Sequence, residues 1–242
     1  LKVYLNSISG IPDALTSLLM SKRSWTPEAE SEIRRLDRSV NNGDGTFTPF
    51  WASEDDIADY ERRMKVLLRW GQKHITLLKF IDLSFTVEGI HRAGQDDWDA
   101  HAERYHNRII RSSTRLAEFK KGEMSDWYKG KIIPTDEALD LLHMQLPETI
   151  EKDGVTYVRA VNGYIREDMK DDKDVKRGLY MLSIPSNFIF RCDLANFAHV
   201  YQNRNQNSAA NPEVKMLAEE CANLIRQYQP LITPDVLNAI QN

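Results

Sequence analysis

Only two cysteines, Cys192 and Cys221, occur in 242 residues, and they form neither a CxxC pair nor a metal-ligand spacing. That excludes a disulfide-dense secreted scaffold and points to a reducing, cytoplasmic compartment, with a single disulfide left open. Long apolar runs are also missing. The uninterrupted stretches, such as Val66–Leu68 and Phe188–Phe190, are far too short to span a bilayer, so no membrane role is expected. No signal peptide is recognisable. There is no excess of positive charge: the net charge is −4, so no global field attracts nucleic acid or an anionic membrane, and neither is an expected partner. The sequence has no GxGxxG and no P-loop, which removes support for a Rossmann or Walker nucleotide site. Of the six histidines, His91, His101 and His106 lie close together, but not at the spacing of HExxH, and no metal site is expected. No serine elbow suggests a Ser/His/Asp triad. Cys192 reads more simply as a buried structural thiol than as a nucleophile. Repeats and low-complexity segments are absent.

What is present is an ordinary soluble mix, 41% hydrophobic and 28% charged, long enough to bury a core without staples. Lys2–Leu5 could open with a strand. Thr26 followed by Pro27 and acidic residues predicts a helix running to about Val40. Asn41–Gly45 is a turn cluster. Ser53 starts a helix to about Gln72, with Ile57, Tyr60, Met64, Leu67 and Leu68 at helical spacing. Ile81–Val87 is the clearest strand. Asp96–Arg115 reads as polar and helical, broken near its end. Pro134 begins another helix, and Gly154–Val158 with Gly163–Ile165 could form a hairpin. Asp168–Arg177 is a charged loop. Leu179–Ile189 reads as a strand or an edge containing Pro185. Asp193–Gln202, Pro212–Tyr228 and a short segment capped by Thr233 are helices. The expected fold class is α+β, helix-rich with a small central sheet, as a single domain over 1–242.

Two constellations stand out. Arg104, Arg108, Arg111 and Arg115 crowd one stretch with Ser112, Ser113 and Thr114 among them. On a helix, Arg108, Arg111 and Arg115 would share one side. Guanidinium forks fit phosphate oxygens or a pyrimidine carbonyl, while the blander reading is a solvated helix face paired to acids. The second stretch, Gln202–Glu213, holds six amides and Arg204. Amides read pyrimidine edges because each offers a donor and an acceptor. The blander reading is a polar interhelical loop in which Asn211 caps the helix after Pro212.

Four segments, in order along the chain, resemble the flavin-dependent thymidylate synthases. Ser21-Lys22-Arg23-Ser24-Trp25 is similar to the family's N-terminal segment with its flavin-contacting serine. His74, followed by Ser84-Phe85-Thr86-Val87-Glu88-Gly89-Ile90-His91-Arg92-Ala93, looks like the family's histidine loop and its strand ending in EG(V/I)xRA. Asn107-Arg108-Ile109 through Ser113-Thr114-Arg115 is similar to the signature region. Asn196-Phe197 through Arg204 to Ser208–Val214 resembles the C-terminal NFxxxR…AxPEI segment. The family signature has Arg-His-Arg and seven residues before a serine. Here it reads His106-Asn107-Arg108 with four residues before Ser113, and further insertions fall near Arg177 and Arg204, which marks a divergent member.

The resemblance implies an α/β core with helices, assembled as a homotetramer with FAD at subunit interfaces. It also implies transfer of the methylene of methylenetetrahydrofolate to C5 of dUMP, giving dTMP, with NADPH as the reductant. By position, Ser24, His74, Asn107, Arg108, Ile109, Asn196 and Asn211 would contact FAD. Arg108, Arg111, Ser113, Arg115, Arg177 and Arg204 would hold the nucleotide, and Ser113, Arg115 and Arg204 would serve the chemistry. UMP or a modified pyrimidine nucleotide is an alternative substrate, and a nucleotide-binding homologue that has lost the chemistry is another reading of the shortened signature.

Overall fold

The computed structural model describes residues 1–36, 39–41, 47–49, 53–101, 108–113, 123–172, 175–176, 178–205 and 210–240. It contains two compact units. One comprises Leu1–Lys2, Glu88–Asp96 and Arg111–Phe188, and the other comprises Val3–Val87, Asp97–Ile110 and Ile189–Asn242. Strands β1 (Lys2–Ser9), β4 (Asp82–His91), β9 (Pro185–Asp193) and β5 (Arg108–Arg111) form a four-stranded sheet in the order β1-β4-β9-β5.

β4 shows why this segment is a strand. Leu83, Phe85 and Val87 alternate along it and are fully buried, which places them on one face. From the other face Thr86 exchanges side-chain hydrogen bonds with Asn6 of β1, at 3.0 and 3.2 Å. Phe85 stacks on Phe190 with centroids 5.0 Å apart, and Trp98 meets Phe190 edge-on at 5.3 Å. Phe197 completes this aromatic core at 6.0 Å from Phe85.

The larger unit also holds most of the helices. α1 (Ile11–Ser21) buries Ile11, Ala14, Leu15 and Leu18. No helix is expected here from the sequence. Pro12 looks like a breaker, yet it lies in the first turn, where its missing N–H has no partner to lose. Gly10 precedes it with φ 83°, and a Cβ there would lie 1.9 Å from the Phe80 carbonyl oxygen, so only glycine fits. α2 (Pro27–Leu36) has Thr26 accepting from the Ala29 N–H at 3.1 Å. It stops short of the expected Val40, because Ser39–Asn41 (β2) instead pairs antiparallel with Phe47–Pro49 (β3). The expected turn cluster lies mostly at 42–46, outside the described residues. α3 (Glu54–Gly71) begins at Ser53, whose hydroxyl accepts from Asp56 N–H. α6 (Leu194–Asn205) packs against α7 (Pro212–Tyr228) and α8 (Pro234–Ala239). Asp193, Asn211 and Thr233 cap these three as the sequence predicts.

In the smaller unit, β6 (Thr149–Lys152), β7 (Val155–Ala160) and β8 (Gly163–Arg166) make a three-stranded antiparallel sheet. The expected hairpin is its β7–β8 pair. α5 (Thr135–Leu141) follows Pro134. The fold class is α+β and helix-rich with small sheets, as expected. Among the described residues no helix is long and apolar enough to cross a membrane, and no cluster of acids, histidines and cysteines could hold a metal ion.

The stretch Asp96–Arg115 differs from expectation. α4 spans Arg92–His101, and Arg108–Arg111 is strand β5. In a strand, residues three apart point to opposite faces. Arg108 and Arg111 therefore do not share the helical face that their spacing suggested.

Candidate functional site

In the larger unit, α3 ends at Gly71 and the chain turns tightly, with Trp70 carbonyl accepting from the N–H groups of Lys73 and His74 at 3.0 and 2.9 Å. This turn folds the His74 imidazole back on the Trp70 indole, with centroids 5.5 Å apart and planes 19° from parallel. Lys22, just past α1, sets its ammonium 4.7 Å from the centre of the same indole, a cation–π contact. His74 and Trp70 line a cleft of ≈ 830 Å³ together with Ser21, Lys73, Met20 and Phe80. Met20, Trp70 and Phe80 are each 40% exposed or more. The cleft thus combines exposed apolar side chains with the indole–imidazole stack and the Lys73 side chain, and Lys22 lies against the indole.

Two segments distant in sequence, 21–25 and 74, meet here. The serine in the cleft is Ser21, whose hydroxyl donates to the Leu18 carbonyl at 2.9 Å. Ser24 lines a smaller neighbouring cleft of ≈ 240 Å³ with Leu15, Lys22 and Arg63. Its N–H and hydroxyl both serve the Leu19 carbonyl, at 2.9 and 3.4 Å. Trp70 and Lys73 are not among the site residues expected from the sequence. The available signal was an aromatic on the polar side of α3, four residues before His74.

Arg108 lies on β5, two-thirds exposed, 3.6 Å from Asp82. Asp82 also accepts from Arg191 at 2.7 Å. Ile109 follows, half-buried. Asn196 sits buried in the first turn of α6, its N–H bonded to Asp193. The Asn211 side-chain oxygen accepts from the Glu213 N–H at 2.9 Å, the capping role weighed above.

Arg204 is 3% exposed and bonded twice to one residue, Asp97, through its carboxylate at 3.1 Å and its carbonyl at 3.2 Å. Its Nε has no partner among the described residues. The amide-rich stretch around it is helical up to Asn205 rather than loop. Gln202 donates to the carbonyls of Leu237 and Ile240, and Asn205 to the Tyr201 hydroxyl. Cys192 and Cys221 are both free and buried, and burial raises both thiols well above the ordinary range, so neither is an available nucleophile.

In the smaller unit, Arg111 donates to Asp96 at 2.7 Å, and Arg92 approaches the other oxygen of that carboxylate at 3.6 Å. Ser112 is tied to the Asn187 backbone in both directions, at 2.8 and 2.9 Å, while Ser113 is exposed. Gln95 is fully buried beside them. Its oxygen accepts from Ser186 at 2.5 Å and from Arg92 at 3.4 Å, while its Nε2 donors have no partner among the described residues. Such an orphan is what a carbonyl oxygen or a water satisfies. Asn107, Arg115 and Arg177 lie outside the described residues.

No family model and no curated protein matches the chain. Solved structures do. Thymidylate synthase X from Helicobacter pylori with FAD and dUMP matches with TM-score 0.58 and 10% identity, over 98% of this chain and 100% of that one. A second structure of that flavin-dependent enzyme, complexed with FAD and dUMP, matches with TM-score 0.59 and 11% identity over 98% and 100%. A UMP/dUMP methylase, PolB from Streptomyces cacaoi bound with 5-Br dUMP, matches with TM-score 0.53 and 13% identity, over 99% and 95%. From one end to the other, then, this chain has the fold of the flavin-dependent thymidylate synthases.

Proposed function

We propose that this protein methylates C5 of a pyrimidine nucleotide, dUMP in the first instance, with FAD as cofactor. The methylene would come from methylenetetrahydrofolate, and a reduced nicotinamide would recharge the flavin. The observation that carries this reading is the cleft at Trp70 and His74, where two of the four family-like segments converge within a chain-long fold match. The residues present fit a flavin. A stacked indole–imidazole pair suits a flat conjugated ring, and Lys22 and Lys73 suit the anionic tail of a dinucleotide. Flavin, when bound, supplies the hydride.

This chain's own residues would position and polarise. His74 and Trp70 would hold the ring, with Ser21, Ser24, Arg108, Ile109, Asn107, Asn196 and Asn211 around the rest of the cofactor. Arg111, Ser113, Arg115, Arg177 and Arg204 would bind the nucleotide. Arginine forks there would stabilise charge developing on the uracil oxygens and neutralise the 5′-phosphate. Sites shared between subunits of a homotetramer belong to the same proposal. A second reading, in which UMP is taken as well as dUMP, is supported by the likeness to a UMP/dUMP methylase.

The test is the cofactor itself. Purified protein should be yellow, or reconstitute with FAD, and release FAD on denaturation. Trp70→Ala should weaken FAD binding by about tenfold or more, as expected for losing a stacked aromatic contact. Protein that neither carries nor takes up flavin overturns the proposal.

A further inference from the structure

We propose that the smaller unit carries a separate ligand pocket, built on one face of β7 and β8, for a small monoanion with a flat apolar body. The cavity measures ≈ 430 Å³, within the usual size for small-molecule pockets. Val158 and Ala160 point to the same face of β7, and Ile165 of β8 sits directly opposite Val158. They make an aliphatic floor, and Leu179 with Tyr180 makes the wall. Val158, Ala160, Leu179 and Tyr180 are only half-buried, so they retain apolar surface for a guest.

The wall is fixed in place. Asn162 Nδ2 donates to the Leu179 carbonyl at 3.1 Å, and Gly163 lets the Leu179 side chain approach so closely that a Cβ would meet it at 3.0 Å. Backbone bonds from Leu179 to Lys176 and from Lys176 to Asp172, at 3.0 and 3.1 Å, hold the approach to it.

The charges select the guest. Arg159 also lines the cavity, but its guanidinium is committed to Asp136 at 3.0 Å and the Leu146 carbonyl at 3.3 Å. Lys170 and Lys176 make no salt bridge with the described residues, and Asp171 stands beside them. Among the described lining residues, two ammonium groups and one carboxylate leave a single positive charge, which a carboxylate or sulfonate matches better than a phosphate dianion. Among the described residues, none assigned above to flavin or nucleotide lines this cavity.

The probe is 2-naphthoate, with 2-naphthalenemethanol as its neutral counterpart, titrated calorimetrically into the full chain. One equivalent of 2-naphthoate should bind, and the alcohol about tenfold more weakly or worse. Lys170→Glu combined with Lys176→Glu should weaken 2-naphthoate by about tenfold or more while leaving the melting temperature and any FAD content unchanged. Ala160→Trp should fill the floor and abolish binding of both compounds. Equal affinity for acid and alcohol, undiminished binding in the double lysine variant, or no binding at roughly 10 mM probe overturns the pocket. None of these readouts requires flavin, so failure of the methylase reading would leave this test intact.

Discussion

Asp97→Ala is expected to destabilise the fold out of proportion to a surface change. In the native state the Arg204 side chain is 4% exposed and the Asp97 side chain 32%. Deleting the carboxylate leaves a buried guanidinium whose remaining contact with residue 97 is the backbone carbonyl at 3.2 Å, with Nε unpaired among the described residues. Breaking a buried ion pair from one side costs about 3–5 kcal/mol. Asp97 is partly open to water, which replaces some of its charge, so about 2–3 kcal/mol is the expected loss. The exposed pair Arg62–Asp59 should contribute no more than about 1 kcal/mol. Urea unfolding followed by far-ultraviolet circular dichroism measures both. The double variant Asp97→Ala/Arg204→Met should recover at least half of the loss, because no buried charge remains. A cost below about 0.5 kcal/mol for Asp97→Ala would refute the reasoning. The Arg204→Met variant also separates two roles for this guanidinium. If it contacts the nucleotide, dUMP affinity falls by about ten- to a hundredfold; if it serves only the fold, affinity is kept.

Gly10→Ala should be strongly destabilising, by more than the ~1 kcal/mol typical of single substitutions, since both the positive φ and the Phe80 carbonyl oppose a side chain; a thermal melt checks it. Cys192 and Cys221 should fail to react with a thiol reagent at neutral pH in the native protein and both react in urea, because burial disfavours their thiolates; rapid labelling of the native state would contradict this. The Trp25 indole and Arg34 hold the Glu30 carboxyl below its ordinary value of 4.5, and Arg35 does the same for Glu32. A group whose folded value is depressed contributes stability above its unfolded value and loses it as pH falls through the folded one. Melting temperature should therefore be insensitive to these carboxylates near neutrality and begin to fall below about pH 4.5, a decline that Glu30→Gln combined with Glu32→Gln should reduce.

Where local chemistry alone decides an element, it could be read directly. Pro212–Tyr228 matches its expected bounds because Asn211, Pro212 and an apolar stripe at helical spacing agree. β4, expected at Ile81–Val87 and found at Asp82–His91, was legible from β-branched and aromatic residues in a short, mostly apolar run. β5 was not, since Ile109 and Ile110 are a short β-branched pair inside an otherwise polar stretch, and its identity is set by pairing within the sheet, a tertiary choice. α1 is not among the elements expected from the sequence, although Pro12 sits in its first turn. At the site, the order of motifs was enough to associate segment 21–25 with His74, but Trp70 resembles any residue on the outer side of an amphipathic helix. The commitment of Arg204 was illegible for another reason, because its partner lies 107 positions away in the chain.

Asp82 receives two guanidinium groups unequally, Arg191 at 2.7 Å and Arg108 at 3.6 Å. The looser one is two-thirds exposed, and a pair of that kind is held by about 0–1 kcal/mol. An anion that draws Arg108 away does not strand a carboxylate, because Arg191 stays with it. Arg108 is thus on standby rather than spoken for, with its release cost fixed in advance by its neighbour on β9.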